Sequence, residues 1–114
     1  MKIAATYSFE AAHWLPKVPD GHKCKRMHGH NYQLEVSVEG SVGDDGFIMD
    51  YGELDGIVGS LIHKLDHRCL NDISGLDNPT SEVLVMWLRE RLDPLIPGRL
   101  GLRLYETPRY WVEG

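Results

Sequence analysis

Seven consecutive residues, Cys24-Lys25-Arg26-Met27-His28-Gly29-His30, hold the densest run of reactive side chains in the sequence. The H-x-H pair opens the most regular alternating stretch, and side chains at i and i+2 of a strand point to one face. A strand that begins at or before His28 therefore aims the His28 and His30 imidazoles at one point. Two imidazoles do not fill a zinc shell, which takes four ligands, three of them from protein where the site is catalytic. Upstream, Phe9-Glu10-Ala11-Ala12-His13 closes another alternating run and supplies a third histidine. A lone histidine is ordinarily a surface or core residue. Three at strand ends beside a thiol have the shape of an open zinc site.

A second group with catalytic potential is Asp66-His67. An aspartate beside a histidine fixes the imidazole's tautomer and raises its basicity, half of a general-base arrangement. A thiol near a histidine becomes a usable thiolate. Cys24, Asp66 and His67 are thus candidates for a proton-relay group next to the metal. The plainer reading is a polar helix terminus, with His67 near the negative end of the helix dipole. Lys17, Lys23, Lys25 and Arg26 place four of the twelve Lys and Arg residues within ten positions. A basic knot of this kind suits a small anionic ligand, and equally a solvated loop.

These residues need elements to position them. Alternation over Lys2–Phe9, with Ile3, Ala5, Tyr7 and Phe9 on one face, predicts a first strand. Residues 12–27 hold two prolines and the basic cluster and read as a long loop, a length that is usually functional. From His30 to Glu39 a second strand sets Tyr32, Leu34, Val36 and Val38 on the face of His30. Residues 40–46 are turn chemistry, and Phe47-Ile48-Met49 resumes an extended run. Asp50 with Glu53 is a capping pair for a helix whose stripe is Leu54, Ile57, Val58, Leu61, Ile62 and Leu65. A second helix starts near Asn78-Pro79-Thr80-Ser81, with Pro79 in its first turn and Asn78 or Thr80 as cap. Its stripe is Val83, Leu84, Trp87, Leu88 and Leu92. The tail alternates again, with Leu100, Leu102, Leu104 and Glu106 on one face, and ends in a short strand at Tyr110–Val112. The order ββααββ predicts an α+β domain in which two helices cover one face of a four-stranded antiparallel sheet. Open sheet edges invite partner chains, so an oligomer is expected.

At 114 residues, with a net charge of −5, the chain is a single domain and lacks the basic footprint of a general nucleic-acid binder. Two cysteines, Cys24 and Cys69, make no disulfide framework, and no long apolar run or targeting motif is present. A reducing cytoplasm with no membrane partner is the expectation. Cys69 reads as a small apolar filler.

The motifs, taken in order along nearly the whole chain, resemble those of the 6-pyruvoyl tetrahydropterin synthases and their bacterial relatives, the 6-carboxytetrahydropterin synthases of queuosine biosynthesis. Phe9–His13 resembles the F-x-A-x-H segment, and Cys24 with His28-Gly29-His30 the C-x3-HGH. Leu65-Asp66-His67 with Leu70-Asn71-Asp72 resembles L-D-H-x-x-L-N-D, Asn78–Glu82 the N-P-T-x-E stretch, and Glu106-Thr107 the closing E-T. The resemblance implies the tunnelling fold (T-fold), Zn²⁺ on His13, His28 and His30, and Cys24 as the proton-transferring base with Asp66 and His67 as partners. It implies that Glu106 anchors the pterin by two-pronged acceptance from its N–H groups, and that Thr80 and Ser81 line the pterin pocket. It further implies a homo-oligomer, a hexamer built as a dimer of trimers, with active sites between subunits. The implied substrate is 7,8-dihydroneopterin triphosphate, and the basic loop at Lys17, Lys23, Lys25 and Arg26 is placed to meet its polyphosphate.

The short chain and the Gly21-His22-Lys23-Cys24 approach favour the carboxy branch, which releases acetaldehyde and triphosphate. The alternative within the family is the pyruvoyl synthase, which keeps the side chain intact. An alternative of another class is a non-enzymatic, zinc-stabilised pterin-binding module with Cys24 as the fourth ligand. One departure stands out: Tyr105 precedes Glu106-Thr107, where the carboxy branch often carries a basic residue.

Overall fold

A computed structural model covering residues 1–114 shows a single sheet backed by two helices. Strands β1 (Lys2–His13) and β2 (His28–Glu39) pair antiparallel along their full length, from Lys2 opposite Glu39 to His13 opposite His28. Helix α1 spans Tyr51–His63 and α2 spans Ser81–Leu92. Between them lies β3 (Arg68–Cys69); β4 (Arg99–Tyr105) and β5 (Trp111–Glu113) follow α2. The sheet has five strands in the order β3-β1-β2-β4-β5.

The expected four-stranded antiparallel sheet is therefore corrected to a mixed five-stranded one. The addition, β3, runs parallel to β1 at Ala11 and Ala12. Two residues are too few to generate any periodicity, so the strand leaves no mark in the sequence. Both long strands also extend further than expected, β1 to His13 and β2 back to His28, which shortens the loop to residues 14–27. Phe47–Met49 forms no ladder; Met49 instead tucks into the core.

Alternation decides which face is buried. Phe9, Ala11, Tyr32, Leu34, Val36 and Val38 are buried with Leu100, Leu102 and Leu104 under the helices. Phe9 and Tyr32 stack with ring centroids 4.9 Å apart. Helix α1 contributes Leu54, Val58 and Leu61, and α2 contributes Leu84, Val85, Trp87, Leu88 and Leu92. Asp50 caps α1 through Glu53 N at 3.1 Å, as its sequence signal predicts. Thr80 caps α2 through Val83 N at 3.2 Å, so Pro79 falls before the cap and not in the first turn. No helix is long and apolar enough to cross a membrane.

Candidate metal centre and catalytic pocket

The β1–β2 register brings His13 and His28 directly opposite one another, and His30 lies two residues along the same face. The three rings pack edge to face, with centroids 4.6, 5.1 and 5.0 Å apart. One nitrogen from each lies within 4.8 Å of the others. Hydrogen bonds assign the tautomers. His13 Nδ1 lies 2.9 Å from the Pro79 carbonyl and His28 Nδ1 lies 2.7 Å from the Arg26 carbonyl. A carbonyl only accepts, so each Nδ1 carries the proton and each Nε2 presents a lone pair. Those two Nε2 atoms face each other at 3.0 Å, and the buried His30 Nε2 has no hydrogen-bond partner.

The donor set fits a metal ion. Tetrahedral zinc with Zn–N near 2.0–2.1 Å separates its ligand nitrogens by about 3.3 Å, and the His13 and His28 Nε2 atoms stand 3.0 Å apart. Burial pushes the His13 and His30 pKa values below the ordinary histidine range, which favours the neutral form a metal requires. Three histidines could hold a metal ion and leave a fourth position open. The Pro79 and Arg26 carbonyls supply the orienting bonds that metal-binding histidines usually have.

Cys24 sits in a 3-10 turn at Lys23–Lys25. Its half-buried side chain shares a cavity of about 420 Å³ with Lys23, Arg26, His28, His30 and Glu106. Glu106 follows β4, where Oε2 accepts from the Ser81 hydroxyl at 2.8 Å and Oε1 lies 3.5 Å from His30 Nε2. The carboxylate also borders a second cavity of about 350 Å³ with Thr80, Ser81, Tyr110 and Trp111. Tyr32, buried beneath the histidines with its hydroxyl 3.3 Å from His13 Nδ1, has its pKa raised by burial and then by the Glu106 charge.

Asp66 and His67 lie elsewhere. Asp66 Oδ1 is 2.9 Å from Glu10 N and 3.0 Å from His67 Nδ1. The Glu10 N–H bond holds the carboxyl below its usual range, with His67 assisting against partial desolvation. His67 adopts φ 59°, an uncommon conformation for a non-glycine residue, and its N–H donates to the Glu10 carbonyl at 2.6 Å. It lines a cleft of about 580 Å³ with Glu10, His30, Arg68 and Cys69. Within one chain, then, the proton-relay trio is divided: Cys24 lines one cavity and His67 another, and only His30 borders both.

Of the other residues singled out in the sequence, Lys23 lines the Cys24 cavity, whereas Lys25 is held by Asp20 at 2.6 Å and the Val18 carbonyl at 3.3 Å. Arg26, also of the basic loop, lines the Cys24 cavity as well, whereas sequence reasoning missed Tyr32, Thr107 and Tyr110 as site residues. Tyr32 was legible only as core, although its place two residues after His30 put it on the ligand face.

Comparison with known proteins agrees with this geometry. The family model described as 6-pyruvoyl tetrahydropterin synthase matches residues 2–114. The chain belongs to the 6-pyruvoyl tetrahydropterin synthase family. A dihydroneopterin monophosphate aldolase of Pyrococcus furiosus is 38% identical, with 99% of this chain and 97% of the relative covered. A 6-carboxy-5,6,7,8-tetrahydropterin synthase of Synechocystis is 37% identical over 92% of this chain and 85% of the relative. The structure of Caenorhabditis elegans 6-pyruvoyl tetrahydropterin synthase superposes with a TM-score of 0.90 at 26% identity, covering 100% of this chain and 94% of that one. The fold is accordingly the tunnelling fold of the pterin synthases, a family of enzymes that act on pterins.

Proposed function

We propose that the chain is a zinc-dependent 6-carboxy-5,6,7,8-tetrahydropterin synthase. In this reading it converts 7,8-dihydroneopterin triphosphate and water to 6-carboxytetrahydropterin, acetaldehyde and triphosphate, a step of queuosine and 7-deazapurine biosynthesis. One observation carries the reading: of three convergent histidines, His28 and His30 line one cavity with a thiol and a carboxylate. Relatives named for this activity support it.

His13, His28 and His30 hold the zinc, which when bound supplies Lewis acidity toward side-chain oxygens. Glu106 accepts the paired N–H groups of the pterin and orients the ring. Cys24 moves protons to and from the carbons next to the ring. Lys23 and Arg26 line the same cavity and meet the phosphates. Asp66 and His67 complete a neighbouring copy's site. The separate cavities of Cys24 and His67, together with a two-residue strand at one sheet edge and a three-residue strand at the other, support an oligomer with shared sites. The family arrangement is a dimer of trimers.

A second reading has a specific observation behind it. The Pyrococcus relative is named an aldolase for dihydroneopterin monophosphate, and only Lys23 and Arg26 bring cationic charge to the Cys24 cavity. Retro-aldol cleavage of the monophosphate would yield a hydroxymethyl dihydropterin and glycolaldehyde phosphate. The non-enzymatic reading is less well supported, because the ligand cluster does not include Cys24. Incubation of the zinc-loaded protein with each phosphate ester, with products identified by mass, separates the possibilities. Carboxytetrahydropterin with acetaldehyde supports the synthase, and a pyruvoyl tetrahydropterin without acetaldehyde moves the chain to the other branch. Turnover of the monophosphate alone establishes the aldolase.

A further inference from the structure

The segment Asn78-Pro79-Thr80-Ser81 bonds both halves of the site, through Pro79 and through Ser81. The Pro79 carbonyl accepts from His13 Nδ1 at 2.9 Å, and Thr80 caps helix α2. The Ser81 hydroxyl reaches across 25 residues of sequence to donate to Glu106 Oε2 at 2.8 Å. A serine near a helix start ordinarily turns its hydroxyl to water or to the local backbone. Ser81 does neither; it is 8% exposed and its hydroxyl bonds a carboxylate on another element.

Glu106 benefits from such a clamp. It stands at the start of the β4–β5 loop, one residue past the last paired position of β4, and the terminal torsion of a glutamate is soft. Two-pronged acceptance from adjacent N–H groups requires both carboxylate oxygens in the plane of the ligand. Each oxygen has two lone pairs, so Oε2 can accept from Ser81 and from a ligand at once.

We propose that Ser81 is a positioning residue that fixes the plane of the Glu106 carboxylate, and that residues 78–81 act as one bracket setting the carboxylate against the histidine cluster. The inference rests on the reading of Glu106 as the pterin anchor. Ser81 thereby contributes to pterin affinity through Glu106, and the same bracket orients His13 through Pro79.

The test titrates the zinc-loaded protein with unsubstituted pterin, read by its fluorescence. Ser81→Ala removes the donor without removing the Thr80 cap, and alanine is the better helix former, so the fold persists. Pterin binding is expected to weaken about tenfold, the value of a hydrogen bond to a charged group. KM rises by a similar factor with kcat within about threefold, the pattern of lost uniform binding. Zinc content stays unchanged. Ser81→Thr restores affinity, and Ser81→Cys, a poor donor, falls between. Should Ser81→Ala bind pterin normally while Glu106→Gln does not, the inference is overturned and the Glu106 anchor stands. Loss that Ser81→Thr does not restore overturns it as well. If Glu106→Gln itself binds pterin as tightly as the unaltered protein, the anchor reading fails and takes the inference with it.

Discussion

If the chain is the proposed synthase, replacing Cys24 by alanine should separate proton transfer from metal binding. The thiol is not among the three donors that lie within 4.8 Å of one another. The turn that carries it is held through the Cys24 backbone, whose N–H donates to His22 Nδ1 at 3.0 Å and whose carbonyl accepts from Leu15 N at 2.9 Å, and neither bond uses the sulfur. Because the side chain is only half-buried, its loss costs less than about 1 kcal/mol of stability. Zinc stoichiometry and melting temperature should therefore stay close to those of the unaltered protein. Turnover should not. A positioned proton-transferring group contributes about 10²–10⁴-fold, or about 3–5 kcal/mol on the barrier. The assay measures zinc per chain by plasma mass spectrometry alongside single-turnover product release from 7,8-dihydroneopterin triphosphate. Loss of zinc together with collapse of the fold would refute the reasoning, because it would make the thiol the fourth ligand of a closed structural site.

Four further outcomes follow from the same geometry. Mixing Cys24→Ala with Asp66→Asn chains after dissociation and reassembly should restore about a quarter of the sites if each site joins two copies; no recovery counts against shared sites. Chelation of the metal should lower the melting temperature by the linkage of binding to folding and abolish turnover, and zinc should restore both; unchanged stability and activity after verified metal removal would reject the zinc assignment. Thr80→Ala removes the cap of α2 and should cost about 1 kcal/mol in urea denaturation; an unchanged midpoint would count against the cap. Leu54→Ala, at a fully buried position under the sheet, should cost about 2–5 kcal/mol by the same method.

The two long strands were legible because each buries one face, and the β2 face from His30 to Val38 alternates without a break. The Asp50 cap was legible in the same way, as a short acceptor set before an apolar stripe, whereas Asn78 and Thr80 were equal candidates for α2 until the structure gave the cap to Thr80. The continuation of β1 through Ala11 to His13 was not, because alanines weaken the contrast between faces. Strand β3 exists only because Arg68 and Cys69 meet Ala11 and Ala12 in space. The His triad was legible from the H-x-H spacing and the strand end, whereas its orienting partners, the Pro79 and Arg26 carbonyls, are backbone atoms that no residue type announces. Lys25 read like Lys23 in the sequence, and a tertiary pairing with Asp20 separates them.

The division of the site follows from where its parts are anchored. The histidine cluster belongs to the β1–β2 hairpin, whose register is fixed by twelve paired positions. A slip by one residue would turn every core side chain of one strand toward the helix-free face, so burial of Phe9, Tyr32, Leu34 and Val36 enforces the same register that sets His13 against His28. Core packing and the geometry of the histidine cluster are thus one constraint, and the cluster needs no long loop to hold it. Cys24 and Glu106 lie instead on loops that converge from one side of that cluster, and His67 stands on a short connection fastened to β1 through Glu10. His30 borders both cavities. That one ring stands at the wall between the cavity of Cys24 and Glu106 and the cleft of His67.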